Sequence, residues 1–105
     1  MLMTTTDAIP GKQIVKVIGL VKGNTIRCRD LGHDFLAELK NMVGGEVSDY
    51  TKMMAECREE ALDRMIAQAH ANGANAIVAV RFTTCEMMQQ SAELLAYGTA
   101  VVIED

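Results

Sequence analysis

The stretch SDYTKMMAECREEALDRMIAQAHANGANAIVAVRF, residues 48–82, decides the fold of this chain. Ser48 is a good helix N-cap, because its hydroxyl can accept a hydrogen bond from the free amides of the first turn. Gly73 is a matching stop signal, since the residue after a helix often adopts a left-handed conformation that glycine tolerates. The stretch therefore predicts a long helix from Ser48, a tight turn at residues 72–75 and a buried strand at residues 76–82.

One face of this predicted helix is apolar. Its apolar residues recur at steps of three and four positions, which places them on one stripe: Tyr50, Met54, Cys57, Ala61, Leu62, Met65, Ile66 and Ala69. Arg58 interrupts the stripe. Two interpretations stay open: either its stem lies along the edge of the core with the charged head in water, or its guanidinium is partly buried at a subunit interface, where it pairs with a carboxylate or receives an anion.

Composition and charge limit the classes of protein to which the chain can belong. It has 105 residues, half of them apolar, which predicts one domain with a modest core over residues 1–105. The net charge is −4 without a basic run, so we expect no nucleic-acid partner and no membrane partner. No apolar run approaches the roughly 18 residues that a membrane-spanning helix needs. The first residues lack the basic and apolar segments of a secretory signal.

The chain has three cysteines, Cys28, Cys57 and Cys85. An odd number at wide spacing is typical of reduced thiols rather than of a disulfide framework. We therefore expect a cytoplasmic protein with free thiols. Because Cys57 lies at the edge of the apolar stripe, we expect it in the core.

The N-terminal quarter of the chain is predicted to be extended. Residues 2–6 predict a short edge strand, and the β-branched residues 13–21 predict a longer one. Gly19 favours a bulge or a close backbone approach, although a small residue opposite a large one explains it equally well. Gly23 and Asn24 predict a turn that ends this strand, with residues 25–29 extended.

Two further elements complete the predicted domain. Asp30 can cap a first helix of about three turns that Gly44 and Gly45 end, the glycine pair being a hinge between helices. A last strand is predicted at residues 92–103, after a hairpin connection at residues 87–91. One face of this strand is small and apolar and fits beneath a helix: Leu94, Ala96, Gly98, Ala100 and Val102. The sequence predicts a single compact α+β domain in the order strand, helix, helix, strand, strand, with an antiparallel sheet packed on the long helix.

Several motifs together carry a resemblance to a known family. They are Thr4-Thr5-Thr6, Gly19-x-Val21-x-Gly23, Val43-Gly44-Gly45-Glu46, Tyr50, Arg58-Glu59-Glu60-Ala61-Leu62, Arg64-Met65, Gly73-Ala74-Asn75-Ala76, Arg81-Phe82 and Ala96-Tyr97-Gly98-Thr99-Ala100-Val101. The chain resembles the YbjQ-like family of small, largely uncharacterised bacterial proteins along nearly its whole length. The resemblance implies an α+β subunit similar to that of dodecin, assembly into a ring-shaped homopentamer, and binding of heavy-metal ions.

Soft metal ions need thiolate or imidazole ligands, three or four of which must converge. The chain has neither a Cys-x-x-Cys nor a His-x-His motif, so no strong local signal is present. Cys28 and His33 form the best local pair, at a predicted strand end and a first helical turn, and Cys85 can face solvent or a neighbouring subunit. These three residues are the candidate ligands for a soft divalent or monovalent metal ion. Alternatively, His33 is solvated and Cys28 is only a small strand residue.

Catalytic patterns are absent from the sequence. The acidic residues between positions 56 and 63 are typical of a solvated helix face, and no nucleophile-elbow, Walker or dinucleotide pattern occurs. We therefore do not expect an enzyme. Two function classes remain: a cytoplasmic homo-oligomeric protein that binds heavy-metal ions, or an oligomeric scaffold that binds a small anion or metabolite, for which Arg58 and Arg81 are the interface or anion candidates.

Overall fold

The computed structural model describes residues 1–25, 48–88 and 91–105. The described elements are β1 (Leu2–Met3), β2 (Gln13–Thr25), α1 (Ser48–Ala71), β3 (Ala76–Met88) and β4 (Ser91–Glu104). The helix, turn and strand predicted for residues 48–82 are therefore confirmed. The predicted first helix, its hinge at Gly44 and Gly45, and the extended residues 26–29 lie outside the described residues.

The four strands form one mixed sheet in the order β1-β3-β4-β2. β4 pairs antiparallel with β3 on one side and with β2 on the other. β1 pairs parallel with β3, with Leu2 opposite Ala76 and Met3 opposite Ile77. The expectation of a purely antiparallel sheet was wrong at this strand, because a two-residue edge strand carries no sequence signal for its direction.

Helix α1 covers one face of the sheet, where it contacts β2, β4 and β3. Four residues at four-residue steps are fully buried along it: Cys57, Ala61, Met65 and Ala69. Ala61, Met65 and Ala69 meet four residues of the strands in the main core cluster: Val21 of β2, Ile77 of β3, and Ala96 and Ala100 of β4. The apolar stripe and the small face of the last strand are thus confirmed as two sides of one core.

The helix lies directly against β2 at Gly23. A Cβ atom added to Gly23 would collide with the carbonyl oxygen of Ala61 and the amide nitrogen of Met65, and would lie 2.9 Å from the Cβ atom of Arg64. β2 runs straight through Gly23 to Thr25, so the turn predicted at this glycine was wrong. The glycine is needed for close approach of two backbones and not for a change of chain direction.

Two side chains of α1 also hold backbone groups of β2. Gln68 Oε1 accepts a hydrogen bond of 2.7 Å from the amide of Lys22, and Arg64 Nη1 donates one of 2.5 Å to the carbonyl of Asn24. Arg64 also forms an ion pair of 2.6 Å with Glu60, one helical turn earlier. β2 is an edge strand, so part of its backbone lacks a neighbouring strand in the described sheet. These contacts provide hydrogen-bond partners for two of its backbone groups.

Each strand beside β4 contains two register shifts. In β2 they lie between Ile14 and Lys16 and between Val17 and Gly19, so the bulge predicted as one alternative for Gly19 is confirmed. In β3 they lie between Val78 and Arg81 and between Glu86 and Met88, and Ala79 in the first of these has a φ of 55°. A left-handed conformation at a residue with a Cβ atom costs roughly 1–3 kcal/mol and persists only where surrounding contacts hold it.

The part of the chain that the structure describes contains no helix with both the length and the apolar character needed to cross a membrane.

We expect Gly23→Ala to destabilise the protein by about 3 kcal/mol or more, because the added methyl group meets helix backbone that cannot move as a flexible side chain would. Gly11→Ala is the control: Gly11 has a positive φ, unlike Gly23, but a Cβ atom there meets nothing within 4 Å, so we expect a cost of about 1–2 kcal/mol from the backbone conformation alone. The measurement is urea unfolding followed by circular dichroism at one protein concentration. Equal losses for the two variants would contradict close approach at Gly23.

Candidate functional site

The predicted metal ligands are only partly within the described structure. Cys28 and His33 lie outside the described residues. Cys85 belongs to β3, where its backbone is opposite Glu93 of β4, but its side chain is not among those described. The convergence of these three residues stays a prediction.

Cys57 is disulfide-bonded, which corrects the expectation of reduced thiols at this residue. Its side chain is fully buried on the core face of α1, as expected from its place on the apolar stripe. A disulfide uses two cysteine sulfurs, and the chain has three cysteines. Because only a thiolate is a strong ligand for soft metals, at most one cysteine per chain can bind a metal ion while the disulfide stands.

The described side chains do not by themselves form a metal centre. Among the side chains that the structure describes, no three of His, Cys, Asp or Glu come together in an arrangement that could hold a metal ion. His70 is exposed near the C-terminal end of α1. A soft-metal site in this chain therefore needs donors beyond these side chains, or donors from more than one subunit.

Arg58 lies on the exposed surface of α1 although its position falls near the apolar stripe. Among the described contacts it makes no hydrogen bond or ion pair. This agrees with the interpretation that its charged head is in water. Glu59 and Asp63 are likewise exposed on this helix, which is the solvated acidic face that the sequence predicted.

Arg81 is held in place by neutral acceptors. Its Nη1 atom donates hydrogen bonds of 2.8 Å to the carbonyl of Thr5 and 2.9 Å to the carbonyl of Val80. The backbone of residues 4–6 is itself fixed to β3, because Ala79 donates to the Thr6 carbonyl and Val80 donates to the Thr4 carbonyl, at 2.9 and 3.0 Å. The guanidinium is therefore exposed and anchored, and it has no carboxylate partner in the described part of the chain.

Two residues that the sequence analysis did not single out lie in the same row of the sheet as Arg81. Tyr97 of β4 is directly opposite Arg81 of β3 and directly opposite Lys22 of β2. The alternation along β4 already placed Tyr97 on the face turned away from the helix. The register shifts that place Lys22 and Arg81 opposite Tyr97 are not indicated by any such alternation in the sequence.

The family to which the chain belongs follows from comparison with known proteins. The model of the YbjQ family, described as "Putative heavy-metal-binding", matches residues 1–104. A UPF0145 protein of Dehalococcoides mccartyi is 54% identical over 104 residues, covering 99% of this chain and all of the relative. A UPF0145 protein of Clostridioides difficile is 51% identical over 105 residues, covering 100% of this chain and 94% of the relative.

A solved structure supports the fold. The crystal structure of a protein of unknown function from Pediococcus pentosaceus is similar with a TM-score of 0.58 at 18% identity, over 99% of this chain and 98% of that one. At this identity the likeness concerns the fold alone. The sequence matches are much closer and cover the full length, so the resemblance seen in the motifs is confirmed: the chain belongs to the YbjQ family, which its UPF0145 relatives share.

Proposed function

We propose that this protein is a cytoplasmic, non-enzymatic binding protein that assembles from identical subunits into a dodecin-like ring of five. Its ligand is a soft divalent or monovalent metal ion, bound through Cys28, His33 and Cys85. The observation that carries the proposal is the match of residues 1–104 to a family described by heavy-metal binding. Two features of the described structure bear on this proposal: an exposed apolar strand that could contact another subunit, and a disulfide that limits which cysteines can bind a metal ion.

The surface for assembly is the apolar part of β2. This strand is at one end of the described sheet. Two of its apolar side chains are largely exposed, Val17 by 63% and Leu20 by 70%. An apolar edge strand readily pairs with a strand of another chain. The opposite end of the sheet is β1, where Leu2 is 46% exposed, so a contact between the β2 edge of one copy and the β1 edge of the next would be head-to-tail and can close into a ring.

The condition for metal binding is reduction. Cys57 is disulfide-bonded, and a disulfide removes two sulfurs from the three that the chain contains. A site that uses Cys28 and Cys85 together therefore exists only after the disulfide has been reduced to two thiols. Metal uptake by this protein is then coupled to the redox state of its cysteines.

A second candidate function is an oligomeric scaffold that binds a small anion or metabolite without metal. The anchored Arg81 supports it, since that exposed guanidinium has no carboxylate partner in the described part of the chain. Arg58 is the second cation available for such a ligand or for a subunit contact. The two candidates differ in which side chains they need, thiols in the first and cations in the second.

We expect the double variant Val17→Lys/Leu20→Lys to be monomeric, because two charges at the apolar edge repel a second copy and must be desolvated on pairing. Native mass spectrometry should give five times the 11.4 kDa chain mass for the unmodified protein and a single chain mass for the variant.

Ala67→Lys is the matched control, since Ala67 is exposed on α1 and the substitution adds the same kind of charge. This variant should keep the assembly of the unmodified protein. A monomeric unmodified protein, or equal assembly in all three proteins, would refute self-association through β2.

We expect fully reduced protein to take up zinc, cadmium or copper(I) in an integral number per ring or per subunit, and oxidised protein to take up at least about tenfold less, because disulfide sulfur is not a thiolate ligand. Metal content is measured by native mass spectrometry together with elemental analysis. Cys28→Ser/Cys85→Ser and His33→Ala should each remove stoichiometric uptake by the reduced protein.

His70→Ala is the control for the imidazole, because His70 is exposed at the end of α1. This variant should bind as much metal as the unmodified protein. Uptake that persists in the double cysteine variant would exclude the chosen ligands, and a reduced protein that stays metal-free would leave the anion-binding scaffold as the better candidate.

A further inference from the structure

A row of three side chains crosses the sheet face that is turned away from α1. Tyr97 lies in the middle of the row, with Lys22 of β2 opposite it on one side and Arg81 of β3 on the other. Residues directly opposite each other on antiparallel strands point to the same face of the sheet. Their neighbours along the strands, among them Val21 and Ala96, belong to the core beneath the helix, so the row faces away from it.

Both cations reach this face through the register shifts. Before the shift in β3, Val78 is opposite Thr99, so an unshifted strand would place Val80 opposite Tyr97. The extra residue puts Arg81 there and sends Val80 into the core. The shift between Val17 and Gly19 does the same for Lys22 on the other flank of β4. Bulges commonly re-aim side chains beside functional sites, and here two of them direct two cations to one phenol.

The cations of the row are free to bind a ligand. Neither Lys22 nor Arg81 forms an ion pair in the described part of the chain, where the ion pairs involve Lys12 and Arg64. Glu93 is the carboxylate closest to the row by register, four positions from Tyr97 along β4, and it accepts a hydrogen bond of 3.0 Å from Asn24 Nδ2. The Nη1 contacts of Arg81 go to two carbonyls, which fix the guanidinium and leave its other N–H groups available.

We propose that Lys22, Tyr97 and Arg81 form a binding site for a phosphate-type oxyanion. Adjacent strands are about 4.8 Å apart, so the Cα atoms of Lys22 and Arg81 are separated by roughly 10 Å. The Thr5 contact holds the guanidinium on the β1 side of β3, so the anion would bind between Arg81 and Tyr97, toward which the long side chain of Lys22 can extend. The planar guanidinium matches two oxygens of such an anion, the ammonium neutralises a third, and the phenol donates a further hydrogen bond. This site deepens the anion-binding candidate and needs no metal ion.

The test is calorimetric titration of metal-free, full-length protein with inorganic phosphate and with phenyl phosphate at low ionic strength, where an exposed site is least screened. We expect Lys22→Met and Arg81→Met each to weaken binding by about fivefold and Tyr97→Phe by about twofold. Lys22→Met is the decisive variant, because the side chain of this lysine makes no described contact in the fold. Arg81→Met also removes the hydrogen bond to the Thr5 carbonyl, which can destabilise the fold. The thermal unfolding of each variant is therefore measured together with its titration.

Lys16→Met is the matched control. Lys16 is on the same strand and exposed, but it is opposite Val102, which shares the helix-side alternation of Ala96 and Ala100. This variant removes the same charge from the other face and should change the affinity by less than about twofold. Equal losses for Lys16→Met and Lys22→Met, or no saturable binding by the unmodified protein, would mean an adventitious ion only and would overturn the proposal.

The two titrants also identify the source of the anion. Phenyl phosphate that binds at least about tenfold more tightly than phosphate would assign the site to a phosphate monoester with an organic body, whereas equal affinities would assign it to free phosphate. Both results support the site. The titrations use metal-free protein, so an absence of phosphate binding would not contradict the proposed metal binding. Likewise, a reduced protein that takes up no metal ion would not contradict the oxyanion site.

Discussion

The contact between Gly23 and the backbone of Ala61 and Met65 is the constraint on which the rest of the structure depends. It lets α1 lie against β2 without an intervening side chain, and Arg64 and Gln68 then reach the backbone of that strand. Ala61, Met65 and Ala69 can be buried against β4 because the helix sits this low. One face of the sheet is thereby closed, and Ile9 covers part of the opposite face at Ala76, Val78 and Val101. Binding and assembly therefore have the rest of that face and the sheet edges available.

The close packing of helix on sheet could largely be predicted from the sequence. The four-residue spacing of Cys57, Ala61, Met65 and Ala69 gives the buried stripe, and the alternation of Ala96, Gly98 and Ala100 gives the surface beneath it. Gly23 was misread, because the same residue type serves turns and close backbone approaches, and only a distant helix decides between them. The parallel pairing of β1 was not predicted for a similar reason: its direction is set by β3, which is distant in the sequence.

The candidate sites were harder to predict than the core. A one-residue shift moves every following side chain to the other face, yet the shift in β3 is made at Ala79, an alanine in a left-handed conformation that no sequence pattern indicates. Arg81 was named from the sequence as an interface or anion candidate, but its row with Lys22 and Tyr97 was not predicted. The disulfide at Cys57 was also missed, since three widely spaced cysteines do not reveal which sulfurs meet in space.

Edge assembly and the oxyanion row use different groups of the same sheet, backbone groups in the first and side chains in the second. Hydrogen bonds that join a strand to a neighbouring subunit run in the plane of the sheet, whereas the side chains of Lys22, Tyr97 and Arg81 leave it roughly perpendicularly. The contacts of Arg64 and Gln68 lie near Lys22 on β2, so the open apolar edge is concentrated around Val17 and Leu20. Val17 and Leu20 are opposite Val101 and Thr99, which share the alternation of Tyr97, so a ring closed over these apolar side chains would bring the next subunit beside Lys22 on the same face of the sheet.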